Sequence, residues 1–294
     1  MMLLKNACCE ADFDLMCEIE SIICKAKGHG FWQMHPGGLR YDRYLFGGGA
    51  MDVFSYGKLL CVDDTAVGYV LAYQEEGEFV LRLMPEYEEH ADVALRLAEG
   101  CFEKHDAFTT IVNSNSHALC AALQVRGFTK EAEERYQAVL ALDGWVPQKL
   151  SEGTEKIALL AQEDIPERAL YADIPSGSEV TEEKFRMYLA SKAYQTALEY
   201  VVRDGKTNAF IGFATWWVDE NSKTALLEPV ACLPEYRRRG IARRLLRNGL
   251  SMLKDRGIHQ VFVSTSADHD EAIPLYDSLG FVKTGEANLY VKKK

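Results

Sequence analysis

The sequence predicts an α+β chain built from two similar halves, and three observations carry that reading. The stretches "PEYEEHADVALRLAEG" from Pro85 and "PEYRRRGIARRLLRNG" from Pro234 open alike and run into apolar residues at helical spacing. Each is preceded by three strand-like runs. Each is followed by a β-branched run, a short helix ending in Gly-Phe, and a last strand.

In the first half, "KLLCVDDTAVGYVLAYQEEGEFVLRLM" reads as three strands with turns at Asp63-Asp64 and Glu75-Glu76-Gly77. "DVALRLAEGCFEKH" reads as a helix, "AFTTIVNSNS" as a strand, "HALCAALQVRGF" as a short helix and "RYQAVLAL" as the last strand. The second half repeats the order. Three strands lie in "TALEYVVRDGKTNAFIGFATWWVDENSKTALLEPVACL", with turns at Asp204-Gly205 and Glu220-Asn221-Ser222. The helix "IARRLLRNGLSMLKDRG", the strand "IHQVFVSTSA", the helix "DEAIPLYDSLGF" and the strand "NLYVKKK" follow. The polar, Gly- and Pro-containing "DGWVPQKLSEGTEK" places a junction, giving domains 1–146 and 147–294. Residues 28–50 form a glycine- and aromatic-rich loop without the Lys-Ser/Thr ending of a phosphate loop, and read as a surface excursion or lid.

A chain of 294 residues with 48 % hydrophobic content can supply each half with its own core. It contains no long uncharged apolar run, which argues against a membrane-bound protein, and "MMLLKNACCE" is too short a hydrophobic start for a signal peptide. The eight cysteines show no CxxC spacing and no histidine clustering, so no metal is expected and reduced structural thiols in a cytoplasm are. The net charge of −11 disfavours nucleic acid as a partner. Its distribution is uneven: residues 1–146 carry 12 basic and 23 acidic side chains, residues 147–294 carry 21 of each.

The cations of the second half cluster at a strand-to-helix junction, in "EPVACLPEYRRRGIARRLL". Ile241, Leu245, Leu246, Leu250 and Leu253 recur at helical spacing, so a helix starts near Gly240. The first turn of a helix offers unpaired N–H groups and a partial positive charge, which together suit a phosphate. Gly240 has no side chain to hold a ligand off that backbone, and Arg238 and Arg243 add charge beside it. A solvated basic face is the bland alternative.

Arg237-Arg238-Arg239-Gly240-Ile241-Ala242 resembles the acetyl-CoA signature of the GNAT acyltransferase superfamily, Arg/Gln-x-x-Gly-x-Gly/Ala. "EAIPLYDSLGF" is similar to that family's second motif, an Ala-x-x-x-Tyr ending in Gly-Phe. The resemblance covers residues 154–294 and implies a mixed, splayed central sheet flanked by helices, with acetyl-CoA wedged between two diverging parallel strands. It places the diphosphate on the backbone from Arg238 to Arg243, and the pantetheine arm beside Val230, Ala231 and Cys232. It also gives Tyr276 the place of the general acid. A phenol (pKa about 10) stands there against a leaving thiol (about 8.5). Pro229 interrupts an apolar strand and suggests a bulge or an edge, and the resemblance favours a bulge. Beside such a bulge Glu228 could accept the amine's proton through water or hold a cationic substrate, or be a plain solvent-side residue. His269 stands where the family often has Asn, and could bond the pantetheine or lie exposed on its loop. Trp216 and Trp217 alternate faces, one for the core and one for the acceptor's border, with Tyr188 and Tyr194 as further candidates. Nothing near Cys232 argues for a nucleophile.

The first half reverses this chemistry. Glu88 and Glu89 stand where cations would flank a diphosphate, Ala91 replaces the glycine, and Ala122 or Leu123 fills the tyrosine slot, leaving Asn115 of the second motif. Carboxylates at a helix N-terminus suit the empty helix and repel phosphate. What the resemblance implies is an N-acetyltransferase that moves acetyl from acetyl-CoA to a primary amine, cationic for preference, in a ternary complex. Its first half would be a degenerate copy that completes the acceptor cleft, forms a pseudo-dimer with the second, or attracts cations. A non-catalytic acyl-CoA-binding module is the alternative, and a monomer with an internal pseudo-dimer or a homodimer both remain open.

Overall fold

In the computed structural model, which describes residues 1–27, 34–41, 43, 53–147, 153–171, 181–191 and 194–293, the predicted runs become regular elements. The first half comprises β1 (Met2–Asn6), α1 (Glu10–Lys27), α2 (Pro36–Tyr41), α3 (Val53–Tyr56), β2 (Gly57–Val62), β3 (Thr65–Tyr73) and β4 (Glu78–Leu83). It continues with α4 (Ala91–Glu99), β5 (Ala107–Asn113), α5 (His117–Val125) and β6 (Thr129–Ala141). The second half comprises β7 (Lys156–Leu159), α6 (Ile165–Leu170), α7 (Glu182–Ala190), β8 (Ala197–Arg203), β9 (Phe210–Asp219) and β10 (Thr224–Cys232). It ends with α8 (Ile241–Asp255), β11 (Gln260–Ser266), α9 (Ala272–Leu279) and β12 (Val282–Lys293).

Local chemistry explains the joints. Asp63 and Asp64 both take positive φ (47° and 65°), the conformation that lets a two-residue turn follow the twist of β2 and β3. α8 buries Ile241, Leu245, Leu246, Gly249, Leu250 and Leu253 along one stripe. A Cβ at Gly249 would sit 2.3 Å from the Trp216 ring, so glycine is what lets this helix lie on that indole.

The strands join in one twelve-stranded sheet, ordered β1-β2-β3-β4-β5-β12-β6-β11-β10-β9-β8-β7. Its centre is an exchange that the sequence does not announce. The last strand of each half lies against the other half: β12 pairs with β5, and β6 pairs with β11. The two exchanged strands pair antiparallel with each other, with Val282 opposite Val139 and Val291 opposite Thr129. Each half would otherwise leave an open edge at β5 or β11, and exposed edges are prone to association. The exchange fills both.

A second crossing comes from α2. The 28–50 loop was expected on the surface; most of it lies outside the described residues, but its 34–41 part is buried against the second half. Tyr41 packs on Trp217 with ring centroids 5.4 Å apart, and a Cβ at Gly37 would lie 2.0 Å from the Trp217 Cβ. Beside them His35 is buried. Its Nδ1 accepts the Gly37 N–H (3.0 Å), so its Nε2 carries the proton and donates to Thr224 Oγ1 (3.1 Å). The chain continues through Ser222 to Asp219, which also accepts from Ser21 of α1 (2.6 Å).

Burial lowers the His35 pKa to about 4 against the attraction of Asp219. Between about pH 6.5 and pH 4 the unfolded chain takes up a proton that the folded chain refuses, so stability falls as pH drops through that window. The expected loss is about 3 kcal/mol. Urea unfolding of wild type and His35→Gln across pH 4–7.5 checks it: the variant should be less stable at neutral pH, with a flatter profile.

Candidate active site

The parallel strands β10 and β11 pair for three residues, from Thr224/Gln260 to Leu226/Phe262, and then part. The cause lies in β10. Leu227 is opposite Trp216 and Val230 opposite Ala214, so Glu228 and Pro229 together face the single residue Thr215. That is the bulge expected from Pro229. The Trp217 indole N–H donates to the Glu228 carbonyl (2.7 Å) and fixes it.

Where the strands part, a cavity of about 670 Å³ opens, walled by β10, the turn before α8, the end of β11 and α9. Most sequence-predicted residues meet there: Glu228, Val230, Ala231 and Cys232 from β10, Arg237, Arg238 and Gly240 from the turn, Ile241, Ala242 and Arg243 from α8, His269 from its loop and Tyr276 from α9. Arg239 is not among them. Its guanidinium turns back to donate to the Glu235 carbonyl (2.7 Å) and lies over the Tyr236 ring, so the Arg run does not act as a block.

The turn is shaped for an anion. Arg238 (φ 62°) and Gly240 (φ 73°) both take left-handed backbone, the alternation that turns successive N–H groups to one side, and Gly240 then caps α8. Arg237 is anchored to the Cys232 carbonyl (3.1 Å) and to Glu271 (3.2 Å), which ties the turn to the mouth of the cavity. Arg243 donates to the Ser278 carbonyl (3.0 Å) and ties α8 to α9. The buried Ser264 Oγ, in the cavity wall, has no partner among the described residues. This combination of a glycine-capped helix N-terminus, cations and a free hydroxyl fits a diphosphate-bearing ligand with a polar arm.

Two titratable groups stand at the inner end. Burial pushes the Glu228 carboxyl up, and Arg135 pulls it back. Burial and then the Glu228 charge push the Tyr276 phenol well above its usual range, so it is a neutral hydrogen-bond donor throughout the physiological range. Burial raises the Cys232 thiol, away from the thiolate that a nucleophile needs. His269 is exposed at the rim, and its Nδ1 accepts from the Ala272 N–H (3.3 Å).

The two tryptophans need a correction. Both are fully buried: Trp216 lies under α8, and Trp217 is covered by α2 of the first half. Neither is in the cavity wall. Tyr188 is buried beside Trp217, and Tyr194 donates to Glu199 (3.3 Å). Sequence reading missed Arg135 of β6, because it belongs to the other half, and the polar end of β11 (Ser264, Thr265, Ser266). The latter was visible as a strand turning from apolar to hydroxyl-bearing.

At the N-terminus of α1, the Cys8 and Cys9 thiols lie 3.4 and 3.3 Å from Asp12 Oδ2. That carboxylate also accepts both backbone N–H groups, and caps the helix.

In the first half the matching position is closed. The Pro85–His90 turn has no positive φ, Ala91 is buried, and the cavity there is about 30 Å³. Arg82 in its wall is bound to the buried Glu20 (2.6 and 3.0 Å), which also accepts from Tyr69 (2.7 Å).

Residues 163–281 match the family model for the Acetyltransferase (GNAT) family. Curated relatives include N-alpha-acetyltransferase 30 of Schizosaccharomyces pombe, 32 % identical over 77 residues, which are 25 % of this chain and 51 % of that protein. Another is N-acetyltransferase 8 of Homo sapiens, 42 % identical over 53 residues, 18 % of this chain and 23 % of the relative. The chain thus spans about half or less of these relatives' length. Among solved structures, a tandem GNAT protein from the clavulanic acid biosynthesis pathway aligns over 100 % of this chain and 98 % of its own, with a TM-score of 0.65 at 12 % identity. A GCN5-related N-acetyltransferase from Sphaerobacter thermophilus covers 99 % and 95 %, with a TM-score of 0.61 at 15 % identity. The fold is therefore the tandem GNAT arrangement.

The turn geometry makes a first binding prediction. Gly240→Asp puts a Cβ into left-handed backbone and a carboxylate at the helix N-terminus, so coenzyme A affinity measured by titration calorimetry should fall at least about 100-fold. Glu89→Gln, at the exposed counterpart turn, should leave it unchanged.

Proposed function

Because residues 163–281 match the family model for the Acetyltransferase (GNAT) family, we propose that this chain is an N-acetyltransferase with one working site, in its second half. The observation that carries the reading is the convergence of the left-handed turn at Arg238–Gly240, the carboxyl of Glu228 and the phenol of Tyr276 on one cavity of about 670 Å³. The acceptor is a primary amine, and the acetyl group passes to it directly from acetyl-CoA in a ternary complex.

In this reading the diphosphate rests on the N–H groups of the turn and the start of α8, with Arg237, Arg238 and Arg243 beside it. The pantetheine arm runs along Val230 to Cys232, within reach of Ser264. The neutral amine attacks the thioester carbon, and a tetrahedral oxyanion forms. When the C–S bond breaks, Tyr276 donates a hydrogen bond to the departing sulfur. Full proton transfer from so weak an acid is uphill on its own, so it accompanies loss of the proton from the new ammonium to Glu228 through water. As a carboxylate, Glu228 would also favour an acceptor that arrives as a cation.

The first half, residues 1–146, binds no acetyl-CoA in this reading. Its cavity of about 30 Å³ has room for a water, not a nucleotide, and Glu88 stands in its wall. Calorimetry with acetyl-CoA should give one site per chain, and two would overturn this assignment. Thiol release from acetyl-CoA across a panel of amines tests the activity. Tyr276→Phe should lower kcat by about 10²–10³-fold with little change in coenzyme A affinity. Binding without turnover of any amine, insensitive to Tyr276→Phe, would instead identify an acyl-CoA-binding module.

A further inference from the structure

Among the described residues, the cavity wall contains one from the wrong half of the chain. Arg135 belongs to β6, the strand that the first half lends to the second. It sits opposite Ser266 at the end of β11 and opposite Ala287 of β12. β11 separates β6 from β10, but it parts from β10 beyond Phe262, so Arg135 and Glu228 reach the same cavity from either side of the parting. Its neighbour Tyr136 donates to Asp277 of α9 (2.7 Å), which fixes the lent strand against the helix that bears Tyr276.

We infer that Arg135 is a positioning residue, supplied by the first half, that holds Glu228 in its charged form at the inner end of the second half's cavity.

The balance of charges supports this. Burial pushes the Glu228 carboxyl toward its neutral form, and the guanidinium of Arg135 on the facing wall of the cavity is the cation that opposes it. Tyr276 also faces Glu228, from α9; a neutral phenol, it adds no charge of its own. Arg135 in turn loses charge stability to burial and regains it from Glu228, Glu134 and Glu78. Glu134 precedes it on β6 and Glu78 opens β4, so two of its three acidic neighbours also come from the first half. A first half without a binding site of its own thereby acquires a defined task in the chemistry of the second.

This inference rests on the acetyltransferase reading for its catalytic meaning, but its physical core, the Arg135–Glu228 coupling, can be read without turnover. The experiment follows the carboxyl ¹³C resonance of Glu228 with pH in protein labelled at glutamate Cδ, assigned through Glu228→Gln. In the wild type Glu228 should be ionised at pH 7. Arg135→Met keeps most of the aliphatic stem and removes the charge; it should move the midpoint up by about one pH unit or more. Arg135→Lys should restore most of the difference. The acid limb of the kcat/KM profile should move with the midpoint, while coenzyme A affinity stays within about threefold, since Arg135 stands on β6 and the phosphate-binding turn lies between β10 and α8. A midpoint unmoved by Arg135→Met, or a wild-type Glu228 still protonated at pH 7, overturns the inference. Should the methionine variant not fold, Arg135→Gln takes its place, and a midpoint unmoved there overturns the inference equally. Should the midpoint move while no amine is acetylated by the wild type, the coupling stands and the acetyltransferase reading falls; should amines be acetylated with the midpoint unmoved, the reverse holds.

Discussion

The parting of β10 from β11 is the constraint on which the rest of the molecule depends. Two parallel strands that stayed paired would spend their backbone groups on each other and leave no cavity. The bulge at Glu228–Pro229 ends the pairing after Leu226/Phe262, and the Trp217 indole bonded to the Glu228 carbonyl keeps it in place. Trp217 is in turn covered by α2 of the first half, at a Gly37 contact too close for any side chain. The opening in the sheet is therefore maintained by the bulge in its own wall together with packing from the opposite face.

The first half makes sense in the same terms. Its own position between β4 and β5 is nearly filled, and the charges there satisfy each other: Arg82 is held in two hydrogen bonds by Glu20, and Tyr69 donates to the same carboxylate. Asp92 and Glu99 at α4 are engaged by Arg126. A buried pair of this kind is costly to break by removing one partner. The charges around this position are thus satisfied within the first half, which turns α2 and β6 toward its neighbour and receives β12 in return.

How much of this could be read from the residues alone follows the range of the interactions. The strands around Asp63-Asp64, the helix that starts after Gly240 and the bulge at Pro229 are set by neighbours within a few positions, and turn chemistry or helical spacing exposes them, whereas the place of Tyr276 came only from the motif resemblance. Arg239 was misread because a run of three arginines carries no sign of which side chain turns back; the kinked backbone at Arg238 and Gly240 decides that. Trp216 and Trp217 were correctly read as alternating, but the second face is covered by a distant segment, and alternation cannot distinguish a covered face from an open one. Arg135 lay beyond reach for the same reason, since its relation to Glu228 exists through strand pairing between halves. Long-range pairing is where pattern reading stops.

The reciprocal lending of β6 and β12 has a consequence for how the molecule endures dilution. Two separate chains that traded terminal strands would come apart as their concentration fell, and each would be left with a raw sheet edge. Here one covalent backbone carries both partners, so the trade is unimolecular and its local concentration is set by the tether between the halves, independent of how many copies surround it. The arrangement also means that severing the chain near residue 147 would not yield two freestanding units, because each fragment would still contain a ribbon that belongs in the other.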